Sequence, residues 1–124
     1  MSERTILYIE DNEYNRKIVR QLLARTSYRL VEANDGESGV AMAQQEIPEL
    51  ILMDVQLPKL SGLDATRALK SDPRTSHIPI IVITSFALSG DREKAAIAGA
   101  DNYLAKPYSP RELLALVRQY LPEA

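Results

Sequence analysis

Five times along the chain, a short aliphatic run gives way to a longer stretch in which apolar residues recur at helical spacing. That alternation is the pattern of a parallel sheet flanked by helices. Strands are expected at Thr5 to Glu10, Arg29 to Ala33, Leu50 to Asp54, Pro79 to Thr84 and Asn102 to Ala105. The first, third and fourth are apolar enough for central strands covered on both faces, whereas RLVEA alternates and suits an edge. Helices fill the gaps. Glu13 to Ala24 stacks Ile18, Val19, Leu22 and Leu23 on one face. Gly36 to Gln45 is entered through Asn34 and Asp35, and Leu63 to Lys70 through Pro58, Ser61 and Gly62. Asp91 to Ala98 has Ile97 and otherwise mostly alanine to bury, so it is expected to be loosely held. Pro110 to Leu121 offers Leu113, Leu114, Val117 and Leu121.

The 124 residues fit one domain, 1–124, with no linker, repeat or low-complexity tract to separate an output domain. Fifteen basic and 17 acidic residues give a formal net charge of -2 without long blocks of either sign. Nothing therefore points to nucleic acid or to an anionic membrane surface. The absence of cysteine removes disulfides, thiolate nucleophiles and Cys-based zinc sites, and suits a reducing compartment. No leader or membrane-spanning run is visible, so a cytoplasmic protein is expected.

In an open parallel α/β sheet, ligands bind beyond the carboxyl ends of the strands, where the winding direction reverses. The first strand ends in Glu10 and Asp11, the third in Asp54, the fourth in Thr84 and Ser85, and the fifth leads into Lys106 and Pro107. Carboxylates brought together repel one another, and a hard divalent cation relieves that repulsion; Mg²⁺ is the natural candidate. Magnesium held by so few carboxylates usually shares its site with a phosphate, whose oxygens Lys106 and Thr84 could orient. A carboxylate so placed can attack phosphorus and become an aspartyl phosphate, and Asp54 is the central one.

These residues resemble a known family. Glu10 and Asp11 after the first strand, Asp54 after LILM, Pro58 and Gly62 in the next loop, Thr84, and the pair Lys106 and Pro107 match a response-regulator receiver domain along essentially the whole chain. DNEYNR, ILMDVQLPKLSGLD and the short ending look most like single-domain receivers of the DivK kind, or receivers cut from hybrid kinases. The resemblance implies a flavodoxin-like doubly wound (βα)5 three-layer sandwich, with a parallel five-stranded sheet in the order 2-1-3-4-5. It implies that Asp54 accepts a phosphoryl group from a sensor histidine kinase or histidine phosphotransfer protein. Asp11, Asp54 and the carbonyl of Gln56 would ligate Mg²⁺, with Glu10 acting through bound water. Lys106 and Thr84 would contact the phosphoryl oxygens, and Tyr103 would be the aromatic switch. The surface of the fourth helix, fifth strand and fifth helix would then change its hold on a downstream protein target. Such a chain is a phosphoacceptor switch rather than a turnover enzyme, although it takes part in its own phosphorylation and slow autodephosphorylation. Ser85 departs from the alanine of many relatives. Asn102 and Leu116 replace an acid and a base that pair across transcription-factor dimers, so a monomer or weak dimer is expected.

Other readings are weaker. A haloacid-dehalogenase-like phosphatase would carry an acid two residues after its nucleophile, where this chain has Gln56. A flavodoxin-like flavin carrier would meet its phosphate with hydroxyls and amides, whereas EDNEYN presents carboxylates. A pseudo-receiver that only binds proteins would not need all these acids and Lys106. Tyr103 suits an edge-strand packing role as well as a switch. Phe86, Tyr108 and Tyr120 are read as packing or surface residues, His77 as an exposed loop residue, and Gly62 and Gly99 as backbone positions.

Overall fold

The computed structural model describes residues 4–84 and 91–123. Five strands, β1 (Thr5–Ile9), β2 (Arg29–Ala33), β3 (Leu50–Asp54), β4 (Ile80–Thr84) and β5 (Asn102–Ala105), form one parallel sheet in the order β2-β1-β3-β4-β5. Helices α1 (Glu13–Leu23), α2 (Gly36–Glu46), α3 (Gly62–Ser71), α4 (Asp91–Ala98) and α5 (Pro110–Tyr120) alternate with them. The expected order and elements are met, with ends moved by one residue at Glu10, Pro79 and several helix termini. Ser85 and Phe86 lie outside the described residues.

Period-two alternation sends each central strand's side chains into two separate cores. On one side Ile6, Tyr8, Leu50, Leu52, Ile81 and Ile83 meet Val19 and Leu23 of α1 and Leu113 and Val117 of α5. On the other, Leu7, Ile9, Ile51, Met53, Ile80 and Val82 meet Ala43 of α2, Ala65 and Leu69 of α3, and Ala95 of α4. Each large aliphatic chain buried in this way contributes roughly 1.5–3 kcal/mol.

Two apolar residues stand apart from these cores. Ile18 is 42% exposed and Ile97 78% exposed, although the helical pattern placed both inward. On α1 the buried positions are Val19 and Leu23, with Leu22 packed at the margin, and Ile18 falls on the side that leads to the sheet's carboxyl edge. On α4 the small Ala95 and Ala98 are the buried contacts, which lets the helix lie close to the sheet and turns Ile97 outward.

Polar side chains set the helix starts by accepting otherwise unpaired amides: Asn12 from Asn15, Asp35 from Ser38, Ser61 from Asp64, and Ser109 with Glu112 as a reciprocal capping box before Pro110. Gly62 is required by space, since a Cβ there would lie 1.9 Å from the carbonyl oxygen of Asp54. Gly99 closes α4 at φ +101°, a conformation that other residues adopt only with strain.

Candidate functional site

Of the residues singled out from strand ends, Glu10, Asp11, Asp54, Thr84 and Lys106 lie at the carboxyl edge, around the point between β1 and β3 where the winding reverses. Tyr8 pairs in register with Leu52, so the next residues on the same face, Glu10 and Asp54, come side by side. Glu10 and Asp54 are buried and Asp11 is exposed, and one carboxylate oxygen from each lies within 4.8 Å of the others. Thr84 ends β4 as a buried residue, and its carbonyl accepts the Lys106 amide at 2.7 Å. Lys106 then reaches back across the edge, placing Nζ 3.0 Å from Glu10 Oε1 and 3.5 Å from Asp54 Oδ1. Gln56 lies exposed in the loop after β3. That loop is tied down by the Val55 amide donating to Ile83 and the Gly62 amide donating to Val55.

The electrostatics follow from crowding. Burial, then the hydrogen bond and charge of Glu10, push the Asp54 carboxyl up to about 7, and Lys106 only partly offsets them. Burial also works to raise Glu10, but hydrogen bonds with Asp54, Lys106 and Asn15 outweigh it and hold Glu10 below the usual carboxylate range. Asp11 is raised by the desolvation it meets at the rim of the site, then by the hydrogen bond and charge of Glu10. Burial opposes the charge on Lys106, yet its hydrogen bond to Glu10 and the field of Asp54 keep the ammonium above the usual lysine range. Three acids and one cation thus leave a net excess of negative charge. An all-oxygen donor set of this kind suits a small hard divalent cation.

Tyr103 lies half-buried on β5, against the second core, with the Arg92 guanidinium of α4 5.3 Å from its ring centroid. That contact is a cation–π pair.

Sequence reasoning did not find the supports of this site. Asn15 Nδ2 donates to Glu10 Oε1 at 3.1 Å, Tyr8 donates its hydroxyl to the same oxygen at 3.3 Å, and Arg16 Nη1 donates to the Glu10 carbonyl at 2.7 Å. A faint signal existed for Asn15. It occupies the third helical position, where a capping box would carry Glu or Gln, and its side chain turns to Glu10 instead. Beside the acids, Asn15, Ile18, Lys106, Pro107 and Tyr108 line an open groove of about 400 Å³. Among the described residues no helix is long and apolar enough to cross a membrane.

Residues 6–118 match the family model of the response regulator receiver domain. The polar-differentiation response regulator DivK of Brucella anthropi is 37% identical over 121 residues, covering 98% of each chain, and DivK of Brucella ovis matches to the same extent. Among solved structures, the receiver domain of a sensor histidine kinase from Pseudomonas aeruginosa PAO1, with a magnesium ion coordinated in its active-site cleft, superposes with a TM-score of 0.89 at 36% identity, covering 97% of this chain and 98% of that one. The Mn²⁺-bound response regulator Rcp1 gives a TM-score of 0.80 at 27% identity, covering 94% and 90%. With the flavodoxin-like sheet order and the converging acids, these likenesses establish that the chain belongs to the response-regulator receiver domain family, the phosphoacceptor switches of two-component signalling.

Proposed function

We propose that Asp54 is the phosphoacceptor of this receiver. The observation that carries the reading is the position of Asp54, buried between Glu10 and Lys106 at the winding reversal, with Lys106 Nζ 3.5 Å from its carboxylate. A carboxylate oxygen of Asp54 attacks the phosphorus of a phosphohistidine, the P–N bond breaks, and the imidazole leaves as the acyl phosphate forms. Lys106 would turn its ammonium to the incoming phosphoryl oxygens, and the Thr84 hydroxyl would follow them. Ser85, placed next to Thr84 by the sequence, would border the same oxygens.

The acids fit Mg²⁺: Asp11, Asp54 and the Gln56 carbonyl would hold it, with Glu10 acting through water, and the ion would neutralise charge shared between Asp54 and the phosphoryl oxygens. The raised carboxyl of Asp54 supports this fit, since it marks repulsion that a cation relieves. The magnesium and manganese in the two neighbouring structures agree with it.

The donor is a histidine kinase or histidine phosphotransfer protein. Its phosphohistidine has to reach Asp54, and the groove lined by Ile18, Pro107 and Tyr108, with Tyr14 and Ile18 exposed nearby, offers the apolar contact on that approach. Readout would run through Tyr103, Arg92 and the exposed Ile97 on the α4, β5 and α5 face toward a protein target, with the chain a monomer or weak dimer. Gln56 has a carboxamide where a phosphatase would need a general acid, so the acyl phosphate is expected to persist and hydrolyse slowly.

Intact mass after incubation with acetyl phosphate, with and without Mg²⁺, tests the reading. One labile phosphoryl group is expected on the wild type with Mg²⁺, and none on Asp54→Asn. Equal modification of the mutant would remove Asp54 from this role.

A further inference from the structure

Tyr8 is 1% exposed, the fourth of the five residues of the interior strand β1, among Ile6, Leu52, Ile83 and other aliphatic side chains. A hydroxyl there gains nothing from packing and loses its water, so it has to find a partner inside the protein. It has two partners at the active edge: it donates to Glu10 Oε1 at 3.3 Å and shares a hydrogen bond with the Tyr108 hydroxyl. Three donors therefore converge on one oxygen, Lys106 at 3.0 Å, Asn15 at 3.1 Å and Tyr8 at 3.3 Å.

These donors are not equivalent. Lys106 is shared between Glu10 and Asp54 and sits on a flexible stem. Tyr8 rises from a strand paired on both sides, and Asn15 from the capped first turn of α1, so both are fixed by the fold. When Lys106 engages a phosphoryl group, Oε1 of Glu10 is left with the two fixed donors, while Oε2 keeps the Asn12 amide at 3.4 Å.

We propose that Tyr8, together with Asn15, is a positioning residue that holds Glu10 in place from beneath, so that the acidic site keeps its shape while Lys106 moves from Glu10 to the phosphoryl oxygen. The inference rests on the reading of Asp54 and Mg²⁺ given above. Outer partners of a metal-binding carboxylate commonly change metal affinity by about tenfold or more when removed.

Tyr8→Phe tests this directly, since it deletes the hydroxyl and keeps the ring. Mg²⁺ binding is measured by calorimetry without phosphodonor, and phosphorylation by acetyl phosphate at saturating Mg²⁺ is followed in parallel. The control is Tyr28→Phe, which removes a buried hydroxyl of the same core that bonds the Leu121 carbonyl, far from the acids along the chain. The expected result is a Kd for Mg²⁺ raised about tenfold in Tyr8→Phe, a slower phosphorylation at saturation, and a wild-type Kd in Tyr28→Phe. Asn15→Ala is expected to weaken binding in the same direction, and the double variant more than either. A wild-type Kd in Tyr8→Phe, or an equal loss in Tyr28→Phe, overturns the positioning role while leaving the functional reading intact. Failure of the wild type itself to bind Mg²⁺ overturns the functional reading, and this inference with it.

Discussion

The winding reversal and the β5 edge of the sheet are built differently. Around β1 and β3 every strand residue is buried, Asp54 included, as is Glu10 just after β1, and the buried acids are held by Tyr8, Asn15 and Lys106. Around β5 every strand residue is only half-buried, and α4 rests on Ala95 and Ala98 with Ile97 turned out to solvent. The charge chemistry therefore sits on a rigid frame, and the surface that would report it sits on a lightly packed one. A local charge change can shift such a surface because little packing has to be broken to move it.

The largest effect should come from cutting into the rigid side. Leu52→Ala is expected to cost about 3 kcal/mol, against less than about 0.5 kcal/mol for Ile97→Ala, measured by urea unfolding. Similar losses from the two variants would erase the contrast. Gly62→Ala should be nearly as damaging as Leu52→Ala, roughly 2–3 kcal/mol, because the added Cβ meets the Asp54 carbonyl at 1.9 Å. Its readout is the melting temperature, expected to fall by about 10 °C.

Metal addition should stiffen the acidic side further. Mg²⁺ at ten times its Kd should stabilise the wild type by about 1.4 kcal/mol, or about 5 °C in melting temperature, and Asp11→Ala should lose most of that gain. An undiminished shift in the variant would take Asp11 out of the ligand set. The smallest expected effect is that of Arg92→Ala, which removes the contact with Tyr103 for about 0.5 kcal/mol or less. Its ring proton shifts should move by NMR while those of Tyr8 stay fixed, and an equal change at Tyr8 would show the two sides to be coupled.

Much of this was legible before any coordinates. Continuous apolar runs in TILYI, LILMD and IIVIT marked central strands, and the acids at the ends of the first two come together at the carboxyl edge of the sheet. Asp35 and Ser61 marked two helix starts in the sequence, because capping is a contact between residues close in the chain; the caps at Asn12 and Ser109 were found only in the structure. Ile97 misled for the converse reason. Helical periodicity says which residues share a face, but which face meets the sheet depends on how closely the backbone approaches, and the alanines decided that.

What the chain order determined by itself was the alternation of five strands with five helices and the identity of the residues that follow each strand, which rest on local pattern and short-range chemistry; the strand order was implied by the resemblance to a known family. Only the tertiary structure decided that Lys106 spans Glu10 and Asp54, that Tyr8 and Asn15 close on the same carboxylate oxygen, and that Arg92 caps Tyr103. Lys106 and Glu10 lie 96 positions apart in sequence. Hydrogen-bond and charge geometry fall off over a few ångströms, so such contacts exist only once the strands that carry them have paired.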